Sequence, residues 1–187
     1  VIIIHCFDTE ENIRNKLDHV NGCLFTGGEI ETVADNDLKK YISTWKFIFN
    51  YNKLNNCPLW ATCLGFEFLA MMELKEDEIF QNFRNKSILE KTKANNLKSN
   101  IIPINSFKKV FDINSSILKK AKGQKSLYYN HNFGYIFDNK TIKFMKDNNF
   151  EILSVNYDKN RVKYIGTIKS ENHNIYGTQW HPEKVIF

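Results

Sequence analysis

Cys63 stands in P-L-W-A-T-C-L-G-F-E, where a short apolar run gives way to a helical pattern. A sharp strand-to-helix turn of this kind lifts a side chain above the carboxyl ends of the strands. The helix N-terminus behind it offers partial positive charge and free backbone N–H groups, which favour a thiolate and can receive an oxyanion. Taken alone, a cysteine before a helix is more often a packed core thiol. A free thiol with a pKa of about 8.5 is only a few per cent ionised at neutral pH, so catalysis needs an imidazole beside it.

The far end of the chain supplies one. His181 lies in Q-W-H-P-E-K, after an alternating strand that Pro182 prevents from continuing. Glu183, two residues on around the turn, can hold one imidazole nitrogen while the other faces the sulfur, fixing tautomer and orientation. Gly27-Gly28 closes another apolar run and reads as a strand-ending turn.

The elements that must position these residues follow from periodicity. Val1 to His5 reads as a strand, and Thr9-Glu10-Glu11 as the start of a helix carrying Ile13, Leu17 and Val20 on one face. Gly22 to Phe25 is a second strand. Asp35 to Asn52 places Leu38, Ile42, Trp45 and Phe49 at helical spacing. Pro58 to Thr62 is a third strand and Leu64 to Leu74 a helix. Such alternation implies parallel strands joined by crossover helices, an α/β layered sheet. Glu76 to Ser99 is Lys- and Asn-rich and reads as an insertion or lid running over the surface. Beyond it the pattern predicts strands over Asn100 to Ile104, Ser126 to Tyr129 and Phe150 to Tyr157. Helices are predicted over Ser115 to Ala121 and Thr141 to Lys146, and Tyr164 to Lys169 and Ile175 to Trp180 form a hairpin.

Composition bounds the function. With 187 residues, 42% hydrophobic and 25% charged, the chain matches one folded domain and not a disordered segment. The net charge of +5 is spread through Asn, Asp and Glu; pairs such as Lys39-Lys40, Lys108-Lys109 and Lys119-Lys120 read as solvated faces, so no nucleic-acid partner is expected. The longest apolar runs are strand-sized, too short to span a membrane. Cys6, Cys23, Cys57 and Cys63 show no C-x-x-C pairing, and Cys6 and Cys23 read as small packed hydrophobes. No carboxylate or thiol cluster has metal-ligand spacing, so no metal is expected.

Gly27-Gly28 after a strand, W-A-T-C-L-G-F-E and the terminal Y-G-T-Q-W-H-P-E-K together resemble the class I glutamine amidotransferase-like fold. Within it they look most like γ-glutamyl hydrolase, the family that removes glutamates from folate poly-γ-glutamates. The likeness runs from Val1 to Lys184. Amidotransferase domains usually carry Gln after C-L-G-x, whereas Pro58-Leu59-Trp60 and Phe66-Glu67 match the hydrolase pattern. The resemblance implies an α/β, three-layer, flavodoxin-like architecture with a mostly parallel sheet flanked by helices, in one domain over 1–187. The family ordinarily has a strand and helix before the segment that opens this chain. The expectation is therefore a sheet lacking its first strand and helix, in a fragment incomplete at both ends.

The same resemblance implies Cys63 as nucleophile, His181 as general acid/base and Glu183 as its orienting carboxylate. It places an oxyanion hole at backbone N–H groups near Gly28 and Leu64, and Gly27 against the substrate. Asn130-His131-Asn132-Phe133-Gly134 resembles the loop flanking the substrate cleft, which gives His131 a part in substrate binding or proton handling; a solvated loop histidine is the other reading. The implied partner is a small γ-glutamyl substrate, folate polyglutamate, with no cofactor. A lysosomal, vacuolar or secreted location comes with the family, and a homodimer is left open. The rival functions are a glutaminase domain feeding ammonia to a synthase and a catalytically inactive binding protein of the same fold.

Overall fold

The computed structural model describes residues 1–104 and 127–184. Helix α1 (Glu10–Leu17) begins where Thr9 Oγ1 accepts the Asn12 N–H, and it buries Ile13 and Leu17. Helix α2 (Asp35–Asn55) buries Leu38, Ile42, Trp45, Ile48 and Phe49 along one stripe, and Asn56 ends it in the left-handed conformation. Between them runs β1 (Cys23–Phe25); β2 (Leu59–Thr62) and α3 (Leu64–Leu69) follow. The predicted helix to Leu74 is shorter because 70–73 turn away to enter α4 (Glu76–Asn85).

Three strand pairs, one helix and a hairpin follow. These are β3 (Glu90–Lys91) with β7 (Phe133–Gly134), β4 (Leu97–Ser99) with β6 (Leu127–Tyr129), and β5 (Ile102–Pro103) with β8 (Phe150–Tyr157). Helix α5 (Asn139–Asp147) is capped by Asp138, whose side chain accepts from Thr141 N–H at 2.7 Å. Strands β9 (Lys163–Ser170) and β10 (Ile175–Thr178) form the predicted hairpin. The predicted helix Ser115 to Ala121 lies outside the described residues, as does Ser126.

The main sheet runs β1-β2-β10-β9-β8-β5. Its α/β character with flanking helices is as expected, and its pairing is mixed: β1, β2 and β10 run parallel, while β10-β9, β9-β8 and β8-β5 are antiparallel. The core sits between this sheet and its helices, with Phe25 stacked on Trp45 at 4.2 Å and Phe68 on Phe83 at 4.4 Å.

Two expectations are corrected. Val1 to His5 is not a strand: no described strand pairs with it, and Val1, Ile2 and Ile3 are exposed. Val1 to Ile4 and Gly22 to Thr26 both line a hollow of about 940 Å³, and no ladder pairs the two segments among the described residues. Nor is Glu76 to Ser99 a featureless surface run. Ile79 and Phe83, four residues apart, bury one face of α4, and Ile88, Leu89 and Ala94 are buried behind it.

Candidate active site

Cys63 sits between β2 and α3 with φ 53° and ψ −110°, a conformation an L residue rarely adopts. The sheet holds it there: its N–H donates to Thr178 O of β10 at 2.8 Å, and its own carbonyl accepts the Glu67 N–H at 3.0 Å. Gly65 allows the turn to lie on β1, since a Cβ there would be 2.5 Å from Phe25 O. Sγ is 3.8 Å from Asn130 O. The thiol is buried, and burial pushes it up to about 12, with the Glu67 carboxylate adding to the rise; the Leu64 backbone N–H pulls the other way. The resting group is a thiol, and ionising it requires an acceptor for its proton.

His181 comes from the turn after β10, its N–H anchored on Tyr128 O at 2.8 Å. Its Nδ1 lies 2.6 Å from Glu183 Oε1. A carboxylate can only accept, so Nδ1 carries a proton, and in the neutral tautomer this leaves the lone pair on Nε2. That Nε2 is buried and has no partner among the described residues. Gly27 explains how close the two segments come. A Cβ on it would stand 3.1 Å from His181 Cε1 and 3.4 Å from Cys63 Cβ. At Gly28 a Cβ would meet Leu64 Cδ2 at 3.2 Å, so this backbone passes close over the start of α3.

All seven residues named from sequence line one cleft of about 630 Å³: Gly27, Gly28, Cys63, Leu64, His131, His181 and Glu183. His131 is buried, not a solvated loop histidine. Its Nδ1 is 2.7 Å from Phe133 O and 3.0 Å from Thr92 Oγ1; the carbonyl can only accept, so Nδ1 is the protonated nitrogen. Nε2 is again an unpartnered, buried lone pair. Desolvation lowers its pKa to about 4, overcoming the Phe133 hydrogen bond, so the ring is neutral near pH 7.

Sequence reasoning missed the supports of this ring. Thr92 N–H donates to Asn132 O at 2.8 Å, Asn95 Nδ2 to Asn132 Oδ1 at 2.7 Å, and Asn96 N–H to Asn130 Oδ1 at 3.2 Å. The supposed surface insertion thus pins the His131 loop. Glu67 and Gln179 were present only as letters inside the two motifs, although Glu67 lines the same cleft. Among the described residues no group of three or more His, Cys, Asp or Glu side chains gathers as a metal site.

The family model described as glutamine amidotransferase class-I matches residues 1–186. The chain belongs to that family. Among curated proteins this amidotransferase-family chain is 30% identical over 184 residues to gamma-glutamyl hydrolase 1 of Arabidopsis thaliana, covering 96% of the chain and 50% of that protein. It is 25% identical over 192 residues to the gamma-glutamyl hydrolase of Homo sapiens, covering 96% and 54%. The chain spans about half the length of the curated relatives it matches. Among solved structures the glutaminase domain of Trypanosoma brucei CTPS with bound acivicin aligns at a TM-score of 0.57. It is 13% identical over 95% of this chain and 69% of that one, a likeness of fold alone. No described helix is long and apolar enough to cross a membrane.

Proposed function

We propose that this chain carries the centre of a cysteine hydrolase for γ-glutamyl amide bonds, with Cys63 as nucleophile, His181 as general base and acid, and Glu183 as its orienting carboxylate. The observation that carries the reading is Gly27, whose missing side chain leaves one point within 3.4 Å of both Cys63 Cβ and His181 Cε1. A nucleophile and a base from segments far apart in sequence share that space.

In this reading His181 Nε2 takes the thiol proton as Sγ attacks the γ-carbonyl carbon. The charge on the carbonyl oxygen is received by backbone N–H groups of Gly28 and Leu64, each such donor being worth about 3 to 4 kcal/mol in the transition state. The imidazolium then protonates the departing amine as the C–N bond breaks, leaving a thioester on Cys63. Water, deprotonated by the same nitrogen, attacks the thioester and releases the γ-carboxylate, and the sulfur recovers its proton. The neutral His131 offers Nε2 as an acceptor for a substrate N–H. Gly27 leaves room for the acyl chain.

The similarity to gamma-glutamyl hydrolases supports folate poly-γ-glutamate as the substrate class, and with it a lysosomal, vacuolar or secreted setting. The test is an assay on γ-glutamyl oligomers beside free glutamine, with products identified by mass and Cys63→Ala as control. Release of glutamate from the oligomers, lost in the variant, is the expected result. Turnover of glutamine alone would replace this reading with the glutaminase one.

A further inference from the structure

One buried acid of the cleft has no part in those steps. Glu67 lies in the first turn of α3, is 6% exposed, and forms part of the cleft wall. Its Oε1 accepts a hydrogen bond from Gln179 Nε2 at 3.2 Å. Gln179 is fully buried, two residues before His181, and its own Oε1 has no donor among the described residues. The unsatisfied amide oxygen shares its carbon with the NH2 group that reaches the Glu67 carboxyl. A carboxylate there sets two acceptors against each other; a carboxylic acid donates to the amide oxygen and satisfies it.

We propose that Glu67 is a positioning residue working as the protonated acid, closing a two-point ring with Gln179 that ties the nucleophile's helix to the segment bearing His181. The proposal rests on the cysteine-hydrolase reading above for what the tie serves.

The surroundings agree. Burial raises the Glu67 carboxyl to about 8, Glu31 adds to the rise, and the Gln179 hydrogen bond and the Lys86 ammonium oppose it. Lys86 is itself paired with Glu31 at 3.9 Å. The other groups facing it are the Cys63 thiol and Tyr135, whose hydroxyl donates to the Glu67 carbonyl. At pH 7 the acid is mostly protonated and the ring is closed. As pH rises past about 8 the proton leaves, the O–H···O arm is lost, and the negative charge one helical turn away opposes ionisation of the Cys63 thiol, which is the Glu67 share of that group's rise. Thiolate formation is thereby restrained on the alkaline side, where an isolated thiol would only gain.

The experiment reads Cys63 without substrate: its iodoacetamide alkylation rate in the full chain, by peptide mass mapping from about pH 6 to 10, with γ-glutamyl dipeptide hydrolysis measured in parallel. Glu67→Gln keeps both arms as an amide–amide ring and cannot ionise. It should alkylate at Cys63 about fivefold faster than the natural chain at pH 9, and lose the break near pH 8. Glu67→Ala should lower kcat about tenfold or more with KM changed less than about threefold, and Glu67→Gln should recover most of that loss. An unchanged alkylation profile in Glu67→Gln overturns the proposal, as does a Glu67→Gln chain that is as impaired as Glu67→Ala at pH 7 or fails to fold. If no γ-glutamyl substrate is turned over, the alkylation arm still decides on Glu67, and the functional reading fails separately.

Discussion

His181 Nδ1 and Glu183 Oε1 meet at 2.6 Å across a single proline, so the proposed base and its proposed orienting carboxylate belong to one turn. The Glu183 side chain is 56% exposed, whereas that of His181 is 8% exposed. Water can therefore replace part of what the carboxylate does. Glu183→Gln is expected to reduce kcat by about 10- to 100-fold, less than the roughly ten-thousandfold typical of a fully buried triad acid. Single-turnover kinetics checks this; a loss equal to that of His181→Ala would give Glu183 a larger role.

Gly27→Ala puts a methyl group 3.1 Å from His181 Cε1 and 3.4 Å from Cys63 Cβ. The ring must give by a few tenths of an ångström; since a displacement of about 1 Å costs about a hundredfold in rate, a loss of roughly three- to tenfold is expected. Circular dichroism and the thermal midpoint should stay near those of the natural chain while kcat falls. Undiminished kcat would mean the two side chains do not work across this gap.

Cys63 holds its left-handed backbone without being glycine, a strain of about 1 to 3 kcal/mol. Cys63→Gly should therefore be more stable than Cys63→Ala by roughly 1 kcal/mol, both variants being inactive. Urea unfolding of the pair settles it, and equal midpoints would show the turn to be relaxed.

His131 is neutral in the folded chain, its pKa lowered to about 4 from an ordinary 6.5. Between those values the unfolded chain binds a proton that the folded one refuses, so this contribution to stability is complete above pH 6.5 and is lost as pH falls toward 4. Relative to His131→Gln, the natural chain should lose on the order of 3 kcal/mol between pH 7 and pH 4. Parallel unfolding curves for the two would place the ring in contact with water.

Much of this was legible in sequence because it depends on local pattern. β8 spans Phe150–Tyr157 as alternation and apolarity predict, and the β9-β10 hairpin and the Cys63 turn lie where their motifs put them. What was not legible depends on a partner. Val1 to Ile4 is as apolar as a core strand, yet a strand exists only where another backbone accepts its hydrogen bonds. Likewise Thr92, Asn95 and Asn96 look like solvated loop letters until the Asn130 to Asn132 backbone arrives to be held. Glu67 figures in sequence only as part of the Phe66-Glu67 pattern, and only tertiary packing buries its carboxyl.

The hydrogen bond from Cys63 N–H to Thr178 O joins adjacent parallel strands in the interior of the sheet. The proposed nucleophile is thus tied to the end of β10, three residues before the proposed base His181, whose own N–H is held by Tyr128 O. Breaking the Cys63 to Thr178 bond means parting β2 from β10, which disrupts the sheet itself. The Cys63 amide should consequently be among the slowest in the chain to exchange with deuterium, and heat should extinguish the chemistry and the fold at one temperature.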